Sequence, residues 1–181
     1  MKIELTEKQT IFYSAVFDEL GRVNLGNELN EFASFGGFGS AKSFIVMLCT
    51  LLICLTYPGT EWVYARATYP QLEDSVIKQF RKAFQPEDYH YVYRIQKREA
   101  HFANGSKIYF RAFDVDTKIL SNQYHGASLC QAEEIPFALF SQLWGRLRLN
   151  GIGKNVMFLE GNPAPGWAKV RYKDQAAYQD S

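Results

Sequence analysis

The spacing of apolar positions changes period repeatedly along the chain, and the changes mark out helices interleaved with strands. Glu4 to Leu20 carries helical spacing with Thr6 placed as an N-cap, and Glu31 to Phe35 reads as a first core strand. The apolar run Phe44 to Thr56 predicts a buried helix, stopped by Pro58-Gly59. Glu61 to Ala67 has the aromatic and β-branched content of a strand, and Leu72 to Phe84 returns to helical spacing. Three short strands follow, Tyr89 to Arg94, Ala100 to Ala103 and Lys107 to Ala112, the last two joined by the hairpin signal Asn104-Gly105. Alternation then resumes with strand Ala127 to Ala132, helix Phe137 to Leu149 and strand Asn155 to Leu159. Strands alternating with helices predict an α/β domain whose mainly parallel central sheet is flanked by helices and carries a β-hairpin insertion, with ligands at the carboxyl ends of its strands.

Two motifs fall at such ends. Gly36-Gly37-Phe38-Gly39-Ser40-Ala41-Lys42-Ser43 lies between the first strand and the apolar helix. A polyphosphate needs closely packed backbone N–H groups at a helix N-terminus, which glycines allow. In the phosphate-loop pattern the lysine, here Lys42, reaches the β- and γ-phosphates, and the hydroxyl, here Ser43, binds Mg²⁺. Ala41 replaces the second glycine of that pattern. A positive φ would cost alanine on the order of 1 kcal/mol or more, so negative φ is expected there.

The second motif is the acid pair Glu133-Glu134, directly after the apolar segment Ala127 to Ala132. Magnesium takes hard oxygen ligands, which assigns Glu133 to the ion through a water; Glu134 is then the base that orients and deprotonates the attacking water. The two motifs together indicate Mg²⁺-dependent hydrolysis of a nucleoside triphosphate.

Composition limits the alternatives. With 181 residues, 47% hydrophobic and 22% charged, the chain suits a single domain over residues 1–181 with a buried core. A net charge of +1 is not the footprint of a strongly basic nucleic-acid binder, although Lys78, Arg81 and Lys82, and Arg94, Lys97 and Arg98, form local basic clusters. Cys49, Cys54 and Cys130 sit in apolar runs without histidines at metal-ligand spacing, so neither disulfide nor zinc is expected. The odd count, with no signal peptide, fits a reducing intracellular compartment. Phe44 to Leu55 is twelve residues long, whereas a membrane span needs about 20, so no membrane contact is expected.

Five stretches in order resemble the N-terminal ATPase domain of the large terminase subunits of tailed bacteriophages. They are the phosphate loop; Tyr64 to Ile77; Phe102 to Ala112; Gln131 to Pro136 with Leu143-Trp144 and Arg146-Leu147-Arg148; and Gly161 to Trp167. The resemblance implies a P-loop NTPase fold of the RecA/ASCE-like kind. It implies a motor that uses ATP and Mg²⁺ to translocate double-stranded DNA into a procapsid. The motor would act as a homo-oligomeric ring docked on the portal in the host cytoplasm, with a small terminase subunit as partner. It also assigns Asn162 to sensing the γ-phosphate and coupling hydrolysis to the domain, Gln9 to reading adenine, and Arg66 to the phosphates. A trans-acting cation is not assigned; Lys118, Arg146 and Arg148 are the nearby candidates. The nuclease domain of the family is not expected from this chain, because the tail Lys169 to Ser181 is short and polar. Two other readings stay open at this point. A small P-loop kinase fits the length but lacks an arginine-rich lid, and a non-hydrolysing DNA- or capsid-docking module would explain Ala41 as a degenerate loop.

Overall fold

Strands β1 (Glu31–Phe35), β2 (Glu61–Arg66), β3 (Tyr91–Arg94), β4 (Glu99–Phe102), β5 (Lys107–Ala112), β6 (Gly126–Cys130) and β7 (Val156–Gly161) form one sheet, ordered β1-β7-β6-β2-β5-β4-β3. The computed structural model describes residues 4–25, 30–37, 41–115 and 117–174. From β1 to β5 neighbouring strands are parallel, and β4 and β3 add an antiparallel edge. The strand order interposes β7 between the phosphate-loop strand β1 and the acid-bearing strand β6, as the RecA/ASCE-like expectation requires.

Parallel strands are covered on both faces and so lose the polar alternation of a half-exposed strand. In β6 all five residues are buried, as are all six in β7. Along β2, Trp62 and Tyr64 face one layer and Val63 and Ala65 the other. Helices α1 (Glu7–Val16) and α2 (Lys42–Thr56) cover the first face, together with a rod made of α3 (Tyr69–Gln71), a π-helical segment Leu72–Ile77 and α4 (Lys78–Ala83). After the short α5 (Pro86–Tyr89), helix α6 (Phe137–Trp144) and α7 (Trp167–Lys169) cover the second face. Among the described residues, no helix is long and apolar enough to cross a membrane.

Several boundaries differ from the expected ones for local reasons. Helix α1 stops at Val16, because Phe17 pairs with Val23 across a turn that places Gly21 at φ 72°. Helix α6 stops at Trp144, and Leu147 bridges to Tyr124 instead of extending it. Most consequential is β6, which ends at Cys130: Gln131 has φ 50°, and Ala132–Glu134 forms a 3₁₀ turn.

The Asn104-Gly105 hairpin also closes α2. Asn104 Nδ2 donates to the carbonyls of Cys54 (2.8 Å) and Leu55 (3.1 Å), while its Oδ1 accepts from Ser106 N–H (3.0 Å). These bonds satisfy carbonyls that a helix end leaves open. Asn104→Ala removes all three and is expected to cost roughly 3 kcal/mol, at about 1 kcal/mol per net hydrogen bond lost. Denaturant titration checks this, as a lower midpoint with an unchanged slope.

Candidate functional site

A cleft of about 310 Å³ opens where β1, β7 and β6 end, and Lys42, Ser43, Arg66, Gln131, Glu160 and Asn162 are among its lining residues. Its near wall is the start of α2. Gly36 N–H donates to Gly161 O (3.3 Å), which ties the loop to β7. The Lys42 ammonium bends back to donate to Gly36 O and Gly37 O, each at 2.8 Å. Phe38, Gly39 and Ser40 lie outside the described residues.

Ala41 has φ 53° and ψ 27°, the left-handed conformation, contrary to the negative φ expected from its Cβ. The chain needs that conformation to turn from the loop into α2, and alanine bears the steric cost a glycine would avoid. Gln9 supports the turn. Its Nε2 donates to Ala41 O (3.2 Å) and its Oε1 accepts from Thr6 N–H (2.9 Å) within the capping box of α1. The Gln9 amide, expected to read adenine, is engaged here with the loop backbone.

The far wall is built around Arg66 at the end of β2, which is 7% exposed. Its guanidinium donates to Ser75 Oγ, to Gln131 Oε1 and to Gln71 O, and lies 3.8 Å from a Glu134 oxygen. Ser75 belongs to the π-helical segment, a form that recurs at functional sites. The Nε of Arg66 is buried without a partner. Arg66, the residue the resemblance assigns to the phosphates, borders the cleft.

The expected acid pair separates. Successive residues of a 3₁₀ turn point about 120° apart, at three residues per turn. Glu133 turns to β7, where its Oε1 accepts from Asn162 N–H (3.0 Å) and its Oε2 is buried without a partner. It rests over Gly161, where an added Cβ would stand 2.2 Å from that oxygen and 2.8 Å from Phe35. Glu134 turns to Arg66. Neither lines the cleft, so any contact of Glu133 with an ion there runs through water, the form in which its metal role is expected. Asn162 does line it, and the Glu133 bond joins the acidic turn to the segment leaving β7. That segment returns to α7, where Trp167 donates to Ile135 O (2.7 Å) and packs on Phe140 with ring centroids 4.6 Å apart. Arg171 and Tyr172 then clasp Glu31 at the start of β1. Arg146 and Arg148 lie on the loop after α6 and do not line the cleft; the Lys118 side chain lies outside the described set.

Sequence reasoning passed over Glu160, which it left beyond the end of strand Asn155 to Leu159. The strand continues to Gly161, and Glu160 is 2% exposed on the cleft floor. Its signal was an acid inside the apolar run Val156 to Leu159 and Gly161. Cys130, its partner in register, donates its thiol to Glu160 Oε1 (2.6 Å). Burial, with Glu160 beside it, pushes the Cys130 thiol well up from its ordinary value. Among the described residues, no group of three or more His, Cys, Asp or Glu forms a protein-only metal cage. A cation here would depend on oxygens brought by a ligand, and the Ser43 hydroxyl and Glu160 carboxylate are hard donors that fit magnesium.

Residues 29–181 match the family described as phage terminase large subunit. The chain belongs to that family. Large terminase from a thermophilic bacteriophage superposes with a TM-score of 0.78 at 14% identity, over 97% of this chain and 44% of that one. HK97 bacteriophage large terminase gives 0.72 at 12% identity, over 98% and 38%. The bacteriophage Phi-29 viral genome packaging motor assembly gives 0.54 at 15%, over 78% and 46%. This terminase chain thus spans less than half the length of each of those three. No curated protein sequence matches it significantly.

Ala41→Gly is expected to relieve the left-handed strain and stabilise the protein by about 1 kcal/mol. For a chain of this size that is roughly 2–4 °C in Tm, read from thermal melting without nucleotide. An unchanged or lower Tm would show that the loop does not hold this conformation.

Proposed function

We propose that the chain is the ATPase of a DNA-packaging motor. It binds ATP and Mg²⁺ in the cleft and hydrolyses the nucleotide to drive double-stranded DNA into a procapsid. The observation that carries this reading is the convergence of Lys42 and Ser43 with Arg66 and Gln131 at the carboxyl ends of parallel strands, in a chain of the terminase family. The large terminase of the thermophilic bacteriophage has been solved in complex with ATP-gamma-S, a nucleotide of the proposed class.

In this reading Lys42 exchanges two loop carbonyls for phosphate oxygens when nucleotide enters. Arg66, braced by Ser75, adds positive charge where the γ-phosphate develops negative charge. Bound magnesium supplies charge neutralisation of the phosphates. Gln131 borders the cleft and orients the attacking water; as an amide it cannot take the proton. Glu134, outside the cleft lining but 3.8 Å from the same Arg66 guanidinium that holds Gln131, is the acid we assign to receive it, by a turn of its side chain toward the nucleotide. Asn162 reports the state of the γ-phosphate, and its backbone bond to Glu133 passes movement of β7 to the acidic turn. The working form is a homo-oligomeric ring docked transiently on the procapsid portal in the host cytoplasm, fed by a small terminase subunit. A cation from the neighbouring subunit is worth about 10³-fold or more in such motors, so ring-assembled protein with DNA is the form to assay.

Lys42→Ala is expected to weaken binding of an ATP analogue by calorimetry. Glu134→Gln should bind as the unsubstituted chain does yet lose turnover by about 10²-fold or more, measured as phosphate release by ring-assembled protein. Wild-type turnover in Glu134→Gln would sink the base assignment. Absence of nucleotide binding at millimolar concentration in the unsubstituted chain would instead favour the docking module.

A further inference from the structure

Glu160 is a carboxylate that the expected chemistry leaves without a task. It is 2% exposed, yet it lines the same cleft as Lys42 and Ser43. Buried charges in folded proteins are paired or bind metal. Among the described residues no ion pair with Glu160 is found, and its hydrogen-bond donor is the Cys130 thiol, a weak one. The Tyr64 hydroxyl lies close enough to Glu160 to feel its charge and is itself buried without a partner. The Glu160 carboxylate on the cleft floor thus has a weak donor and, among the described residues, no cationic partner.

The register says which way this oxygen faces. Phe158, two residues before Glu160 on β7, and Ser128, two residues before Cys130 on β6, lie on the sheet face covered by α2, where Ser128 Oγ bonds Thr50 Oγ1 at 2.7 Å. Side chains two apart on a strand share a face. Glu160 and Cys130 are thus on the α2 side, the side that carries the Ser43 hydroxyl at the helix start. The other candidates face away from Ser43: Glu133 lies on the side of Gly161 opposite Glu160, with Oε1 on Asn162 N–H and Oε2 without a partner, and Glu134 accompanies Arg66. The Cys130 sulfur is a soft donor unsuited to magnesium.

We propose that Glu160, with the Ser43 hydroxyl, holds the divalent cation of the bound nucleotide. The carboxylate that grips the ion thus stands on β7, one strand nearer the phosphate loop than the expected acid pair after β6. This rests on the ATP-binding reading above, and the test separates the two.

Calorimetry with a non-hydrolysable ATP analogue is run with magnesium and with EDTA, and manganese bound with the analogue is followed by electron paramagnetic resonance. The unsubstituted chain is expected to gain about tenfold or more in analogue affinity from the metal, an increment of about 1.4 kcal/mol. Glu160→Gln should lose that gain while its affinity in EDTA stays within about twofold, and its manganese signal should revert toward the free ion. Adding Cys130→Asp to Glu160→Gln should restore the gain, because the new carboxylate occupies the neighbouring register position on the same face. Restoration also rules out a folding defect as the cause of the loss. Retention of the full gain by Glu160→Gln overturns the proposal, as does its loss in Glu133→Gln with Glu160→Gln unaffected. An unsubstituted chain that binds no analogue in either condition overturns the ATP reading as well.

Discussion

The parallel pairing of β7 between β1 and β6 is the constraint from which the site follows. It fixes Gly36 beside Gly161 and Cys130 beside Glu160, so loop, floor and acidic turn meet at one edge of the sheet. Every residue of β7 is buried, so shifting its register by one would send Glu160 to the α6 face and Phe158 out of its aromatic contacts with Phe12, Phe32 and Trp62. Packing on both faces thereby holds the chemistry in place.

Two left-handed residues stand where the chain enters and leaves this edge, Ala41 at φ 53° and Gln131 at φ 50°. Neither is glycine, and each carries strain on the order of 1 kcal/mol. Both are braced by side-chain bonds from remote elements: Gln9 of α1 reaches Ala41 O, and Arg66 of β2 reaches the Gln131 amide. The bracing explains how α1 and β2 bear on the cleft from outside the phosphate loop and the acidic turn.

Much of the architecture was legible from periodicity. Glu31 to Phe35 and Lys107 to Ala112 have the observed bounds, because each is flanked by turn-forming residues and carries strand composition throughout. The expectation of a phosphate loop rests on glycine, lysine and serine at a spacing with few other uses, and Lys42 and Ser43 of that stretch line the cleft. The end of β6 was not legible: Cys130, Gln131 and Ala132 are compatible with a strand, and nothing in the letter Gln announces a positive φ. That error of two residues made Glu133 and Glu134 look like one site, when the turn aims them at Asn162 and Arg66. Glu160 escaped notice because its environment is set by pairing between strands far apart in the chain, β1 and β6 on either side of β7.

The π-helical stretch Leu72–Ile77 has a further consequence. A π turn houses one residue more than an α turn, so regularising it would rotate everything beyond by about 100° around the axis, at 3.6 residues per turn. Ser75 would swing away from Arg66, and Phe80 away from Tyr91 and Phe110. Insertions and deletions in this rod are thus not interchangeable with those in a surface loop: its residue count is part of the cleft wall that Ser75, Val76 and Gln79 form.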